Sequence, residues 1–284
     1  MIKFKIKVNS ITTDNAPNIV LAAEKLLNED ESLPIKAIRC ACHILNLVVQ
    51  IGYDDASMSD CNRKIRYYCK RVHGSSLIKQ FVSDQTILTK ESDIKVELDI
   101  TIRWNSTYDM IRTALRLPRA LTTLSKHLVD ENDSAELPLN DQDWETAKTT
   151  LFLLEPFNQG FLFLFDSIMS FLSLSKSIFI LATKDLSGDY FGVIGQLNLV
   201  FMNIDDHLKE CAASGDYKHL NSSILKMQKK FDEYWPKIKD DALACQLLYP
   251  RFKHSTFKST SNKQNVRFLK DYFQKFIFYE FSGS

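Results

Sequence analysis

Residues 10–20, "SITTDNAPNIV", place a single carboxylate, Asp14, between a β-branched run and the proline-led start of an apolar stretch. A carboxylate at a strand end can hold Mg²⁺ or Mn²⁺ for phosphoryl chemistry, since these hard cations take oxygen ligands. The plainer role is capping, in which Asp14 or Asn15 accepts the unpaired amides of the following helix. The local sequence taken alone favours the cap. Cys40, Cys42 and His43 bring three potential ligands into four residues. Their C-x-C-H spacing is not that of a zinc site, and no second ligand pair follows at a suitable distance. His43, at a helix start, could face the strand end that carries Asp14, or it could be an ordinary structural histidine.

Two basic segments carry a different chemistry. Residues 62–79, "NRKIRYYCKRVHGSSLIK", hold Arg63, Lys64, Arg66, Lys70, Arg71 and Lys79 without an acid, and Tyr67 and Tyr68 are interleaved. Cationic and aromatic groups on one segment suit phosphate contact with base stacking; a solvated helix face explains them equally well. In "RWNSTYDMIRTALRLPR", Arg103, Arg112, Arg116 and Arg119 stand against Asp109. Trp104 falls in an expected loop beside Arg103, where its ring is either buried or free to stack on an unpaired base. Burial is the favoured reading of that residue by itself. No P-loop, G-x-G-x-x-G, H-E-x-x-H or G-x-S-x-G occurs, so the common enzyme signatures are absent.

These residues need an α/β start and a helical remainder to position them. Alternation over residues 5–13 predicts a strand, Pro17 opens a helix, and Ile35–Ala41 predicts a second strand. "CHILNLVVQIG" then predicts a helix with Gly52 as its C-cap. Strand–helix–strand–helix order is an α/β unit, but two strands do not make a stable sheet by themselves, so a partner strand is expected upstream. Helices are predicted at Asp60–Val72, Ser75–Thr89, Tyr108–Leu117, Pro118–Leu128 and Trp144–Phe157, with Val96–Thr107 extended or loop-like. Pro236 should end or kink the helix over Ile224–Ile238, and an amphipathic helix is predicted over residues 267–281. Val129–Glu145 has seven acidic residues and no Lys or Arg, which predicts an exposed acidic loop or hinge that caps the next helix at Asn140 or Asp141. The fold class is therefore mainly α with a small α/β part.

Composition sets the outer bounds. A chain of 284 residues, 45% hydrophobic, can form one large domain or two smaller ones. The formal net charge of +1 means that any nucleic-acid footprint must be local. Six cysteines in a chain of this size point to reduced thiols rather than a disulfide framework. Phe161–Leu181 is the most membrane-like stretch, but Asp166 and Lys176 interrupt it, so it reads as a buried helix and no membrane partner is expected.

Four blocks in order along about residues 8–254 carry a family resemblance. "SITTDNAPNIV", "IKAIRCACHILNLVVQ", "DITIRWNSTYDMI" and "MQKKFDEYWPKI" with "LLYPRFK" resemble blocks of the hAT superfamily of DNA transposases, in particular the type whose full-length members carry a BED zinc finger. The second matches the pattern R-C-x-x-H-x-L-N-L, the third R-W-N-S-T-Y, and the last L-D-P-R-x-K with Tyr249 in place of the aspartate.

The resemblance implies an RNase H-like catalytic core interrupted by a large all-helical insertion. On this chain it implies an incomplete core over residues 1–55 and the insertion over residues 56–284. It further implies three carboxylates that bind two Mg²⁺ or Mn²⁺ ions for DNA cleavage and strand transfer, with Asp14 in the second position. Cys40 and His43 take the family's C-x-x-H positions, and Arg103 and Trp104 take the R-W pair that handles transposon-end DNA. The first carboxylate is expected upstream of Asp14 and the third, a glutamate, after the insertion; neither has a counterpart here. The BED finger and the C-terminal dimerisation segment likewise have none. The expectation is thus an hAT transposase-like DNA-binding chain that is inactive alone and holds no metal tightly. A non-enzymatic domesticated DNA- or protein-binding module is the alternative, and the product of a partial gene a third. DNA is the expected partner, homo-oligomers would form through segments outside the chain, and the setting is nuclear by resemblance or otherwise cytoplasmic.

Overall fold

A computed structural model describes residues 10–14, 16–29, 36–92, 94–100, 103–175, 193–248 and 264–271. The chain divides into two compact units, one gathering Met1–Leu45, Gly160–Asn203 and Phe231–Ser284, the other Asn46–Gln159 and Ile204–Lys230.

In the first unit, β1 (Ser10–Thr13) and β2 (Lys36–Arg39) pair in parallel, with Ser10 opposite Lys36 and Thr13 opposite Arg39. The connection between them is α1 (Pro17–Glu29), which packs on both strands, as a parallel pair requires. Pro17 is its first residue, where a missing N–H costs nothing. The predicted strand positions 5–9 lie outside the described residues. A second nucleus of this unit is aromatic: Phe201 stacks on Trp235 at 4.9 Å between ring centroids, and Phe231 lies 5.7 Å from Phe201. Phe201 belongs to α8 (Val193–Ala213) and Phe231 to α9 (Asn221–Tyr234). Pro236 sits in the 3₁₀ turn Trp235–Lys237 that ends α9, as predicted, and α10 (Lys239–Leu248) follows. Residues 264–271 form the described part of the predicted C-terminal helix.

The second unit is helical among its described residues. Helix α2 (Ala41–Tyr53) ends one residue past Gly52, near the predicted end, but Gly52 is not its cap. Gly52 lies inside the helix, where a Cβ would come within 2.6 Å of Met227 Sδ, so the glycine permits close packing rather than a cap. Helix α3 (Ala56–Gly74) starts four residues earlier than predicted because Asp55 caps it, accepting the Ser57 N–H at 3.0 Å. The same buried carboxylate binds Lys226 Nζ at 2.6 Å and Ser222 Oγ at 2.8 Å, which ties the start of α3 to the start of α9. These bonds hold Asp55 below the usual carboxylate range although burial pushes it upward.

Met58, Cys61, Ile65, Tyr68, Cys69 and Val72 recur at helical spacing and form the buried face of α3. That face meets α4 (Ser76–Thr89), α5 (Trp104–Ala114) and α6 (Pro118–Asp130). Helix α7 (Asp141–Ser175) is much longer than the predicted Trp144–Phe157 and carries Pro156 within it. Residues 161–175 of the membrane-like stretch continue α7, and residues 176–181 lie outside the described residues. No helix among the described residues is long and apolar enough to cross a membrane.

Candidate functional sites: the strand end and the cationic helices

The parallel register sets Asp14 and Cys40 side by side, each immediately after its strand. The Cys40 N–H donates to the Thr13 carbonyl at 2.8 Å, extending the pairing by one step. Asp14 is exposed and its Oδ1 accepts the Ala16 N–H at 3.0 Å, so it turns the chain into α1 as a capping residue does. Among the described residues no three His, Cys, Asp or Glu side chains converge on a position that could hold a metal ion. The described donors therefore do not fit a two-metal centre, which needs a cluster of carboxylates.

Cys40, Cys42 and His43 are half-buried at the start of α2. The Cys42 thiol, donating to Cys40, lowers Cys40 to about 6; burial opposes this, and the backbone amides of His43 and Cys42 act with it. The same bond pushes the Cys42 thiol up. Burial pushes Cys61 and Cys69 up to about 12. Iodoacetamide is accordingly expected to label Cys40 first at neutral pH, because the thiolate is the nucleophile. The rate should climb through about pH 6 and then level off, while Cys61 and Cys69 stay unlabelled in the folded protein. Peptide mapping by mass spectrometry checks this, and equal labelling of all three would refute the thiolate at Cys40.

The basic segment of α3 is not the free cationic face that the sequence suggested. Arg63 pairs with Glu136, Arg71 with Asp133, and Lys64 Nζ with Asp143 Oδ1 at 3.0 Å. Arg66 grips Asp99 in a fork, Nε to Oδ2 at 2.8 Å and Nη2 to Oδ2 at 2.6 Å. Of the five expected DNA-binding cations on this helix, Lys70 is the one that stays exposed with no ion pair to a described residue. Tyr67 Oη accepts the Ala135 N–H at 3.0 Å, and Tyr68 Oη donates toward the Glu136 carbonyl at 3.0 Å. Asp99 apart, these partners come from the acidic segment 129–145, whose opposite charge was visible in the sequence but whose pairing with α3 was not. Its predicted cap is present: Asn140 Oδ1 accepts the Asp143 N–H at 2.9 Å, and Asp143 Oδ2 accepts the Asn140 N–H at 3.0 Å.

The "RWNST" block is also placed differently from expectation. Trp104 is not in a loop but is the first residue of α5, 1% exposed, edge-on to Tyr108 at 6.5 Å. Its ring faces are unavailable for stacking on a base in this arrangement. Arg103, by contrast, is exposed, with extended backbone (φ −122°, ψ 100°).

The segment before it is held at several points. His73 Nε2 lies 2.5 Å from the Val96 carbonyl, and the Glu97 N–H donates to Thr113 Oγ1 at 3.1 Å. Ser106 Oγ accepts the Ile100 N–H at 2.8 Å and lies 2.7 Å from the Arg103 carbonyl oxygen. Asp99, whose side chain is fully buried, also accepts from Thr107 Oγ1 at 2.9 Å. Burial pushes its carboxyl up, but the Arg66 and Thr107 bonds win and hold it below the usual range. Sequence reasoning missed Asp99, Ser106 and Thr107 as positioning residues; the signal was the acid Asp99 between the apolar Leu98 and Ile100 in "VELDITI".

Comparison with known proteins bears on all three regions. Residues 38–151 match the family described as the ZBED1 RNase-like helical domain. The chain is 27% identical over 265 residues to a protein of Zea mays named as an AC transposase, covering 89% of this chain and 29% of that protein. It is also 27% identical over 259 residues to the zinc finger BED domain-containing protein RICESLEEPER 1 of Oryza sativa subsp. japonica, covering 88% of this chain and 32% of that one. The chain thus spans about three-tenths of the length of these relatives. It is similar to transposase and BED zinc finger sequences over most of its own length, and its mostly helical fold fits the matched helical domain.

Proposed function

We propose that this hAT transposase-like chain is a DNA-contacting part of a protein descended from a metal-dependent DNA cleavage and strand-transfer enzyme. In this reading residues 1–55 belong to an RNase H-like core and residues 56–284 to its helical insertion. The observation that carries it is Arg103: an exposed cation on a backbone fixed by Ser106 and by the Asp99 cluster. An exposed guanidinium on a held backbone is suited to a phosphate, because the backbone freedom is already spent before contact. Trp104 and Asp99 then act as positioning residues beneath it.

Asp14 would supply one carboxylate to Mg²⁺ or Mn²⁺ in an intact relative, where such ions activate the attacking oxygen and stabilise the leaving oxygen. In this chain it fixes the turn from β1 into α1, and the purified chain is expected to show no strand transfer with either ion. The setting we propose is nuclear. Fluorescence anisotropy with labelled duplex DNA at low salt tests the central claim. Arg103→Ala should weaken binding and make the salt slope shallower by about 0.9, the value for one lost phosphate contact. Equal affinity and slope in the variant would overturn the assignment.

A second reading, binding of a protein partner, has its own support on α4. Leu77 and Leu88 share one helix face at 82% and 74% exposure, with Ile87 beside them.

A further inference from the structure

The acidic segment does more than neutralise α3; its contacts follow the helix in order. Arg63, Tyr67 and Arg71 lie four residues apart on one stripe of α3. Glu136 meets Arg63, the Ala135 N–H meets Tyr67, and Asp133 meets Arg71. The segment therefore runs antiparallel to the helix as an acidic ligand. The two arginines are eight residues apart, about 12 Å along the axis, which is the span of a few phosphates on one DNA strand. Both pairs are partly exposed: Arg63 has 52% and Glu136 15% side-chain exposure, Arg71 31% and Asp133 56%. Exposed ion pairs contribute little to stability and exchange readily with other anions. The backbone of the segment is held separately, by the buried Tyr68 hydroxyl at the Glu136 and Leu137 carbonyls, by buried Leu139 and by the largely buried Lys64–Asp143 pair, so the exchange involves the Asp133 and Glu136 side chains.

We infer that the Arg63–Tyr67–Arg71 stripe is a phosphate-binding surface, occupied in this state by residues 133–136 of the same chain, which compete with DNA for it. The inference rests on the DNA-contacting reading above and adds a second surface and its regulation. Arg63 and Arg71 bind the phosphates, Tyr67 offers its ring and hydroxyl between them, and Asp133 and Glu136 are the groups displaced. The acidic segment thereby raises the DNA concentration needed for binding, and raises it most at low salt, where its own pairs are strongest.

The test uses the full chain and a labelled 20-base-pair duplex. Asp133→Asn with Glu136→Gln should bind about tenfold more tightly at low salt, with a salt slope steeper by about 2, the value for two added phosphate contacts. Adding Arg63→Ala and Arg71→Ala to that variant should remove the gain. In the wild-type chain, saturating duplex should speed amide exchange at Ala135, whose N–H is bonded to Tyr67. This second measurement does not depend on how well the variant folds. Unchanged affinity and slope in the neutralised variant, together with unchanged exchange at Ala135, would overturn the inference. If Arg103→Ala still weakens the wild-type chain, the inference fails alone. If no form of the protein binds the duplex at low salt, the DNA-contacting reading fails with it.

Discussion

Replacing Asp99 by alanine should lower the folding free energy by about 3–5 kcal/mol, the usual cost of breaking a buried ion pair from one side. The carboxylate takes the Arg66 fork and the Thr107 hydroxyl, and its side chain has no exposure to solvent. Its removal leaves the Arg66 guanidinium in a half-buried site without its counter-charge and frees the start of α5. Urea unfolding of the two proteins measures the difference, and a loss below about 1 kcal/mol, typical of a surface pair, would show the cluster to be marginal.

The pH dependence has a definite sign. The folded-state value of Asp99 is lowered, so its contribution is fully present above the unfolded value near 3.9. It is lost as pH falls below that value and through the folded one. Asp99→Asn should therefore lose stability less steeply than the wild type under acid conditions, and an identical acid profile would refute the role of this carboxylate.

Trp104→Ala should cost about 3–5 kcal/mol as well, by a different route, since deleting a buried indole removes transfer energy and leaves a cavity. Trp104→Phe should recover a large part of that loss because it refills much of the volume against Tyr108. The pair separates two roles that the sequence left open. A tryptophan that serves as a surface stacking platform would tolerate alanine with little change in melting temperature, while a buried anchor would not. Arg103→Ala, one residue earlier, should stay within about 0.5 kcal/mol of wild type, as exposed substitutions do. Its effect should fall on DNA binding alone.

Local chemistry made several elements legible. Pro17 marked the start of α1, Asn140 marked the cap of α7, and Pro236 marked the end of α9, because each acts through its own backbone neighbourhood. Parallel pairing of the two early strands followed from the strand–helix–strand order. Gly52 misled because a glycine that permits close packing and a glycine that caps look alike in sequence; Met227, far along the chain, decides between them. Helix α3 was read as starting late because nothing near Asp55 shows that Ser222, Ser223 and Lys226 will converge on it. The basic run was read as a solvated or DNA-facing surface for the same reason. Its charges were plain, but whether a charge meets solvent or a carboxylate is a property of the tertiary fold. At the strand end, Asp14 and Cys40 each follow directly on their paired strands, while no three described His, Cys, Asp or Glu side chains converge on a metal position.

The separation between α3 and its counter-charges also has a consequence in time. Arg71 precedes Asp133 by 62 residues, Arg63 precedes Glu136 by 73, and Lys64 precedes Asp143 by 79. At a synthesis rate of about 5–20 residues per second, those intervals amount to roughly 3–16 s. For that period the nascent helix lacks these three counter-charges while it is close to a ribosome, whose RNA is itself a polyanion. The carboxylates of the acidic segment arrive well after the helix, so the ribosome is the first nucleic acid that this surface meets.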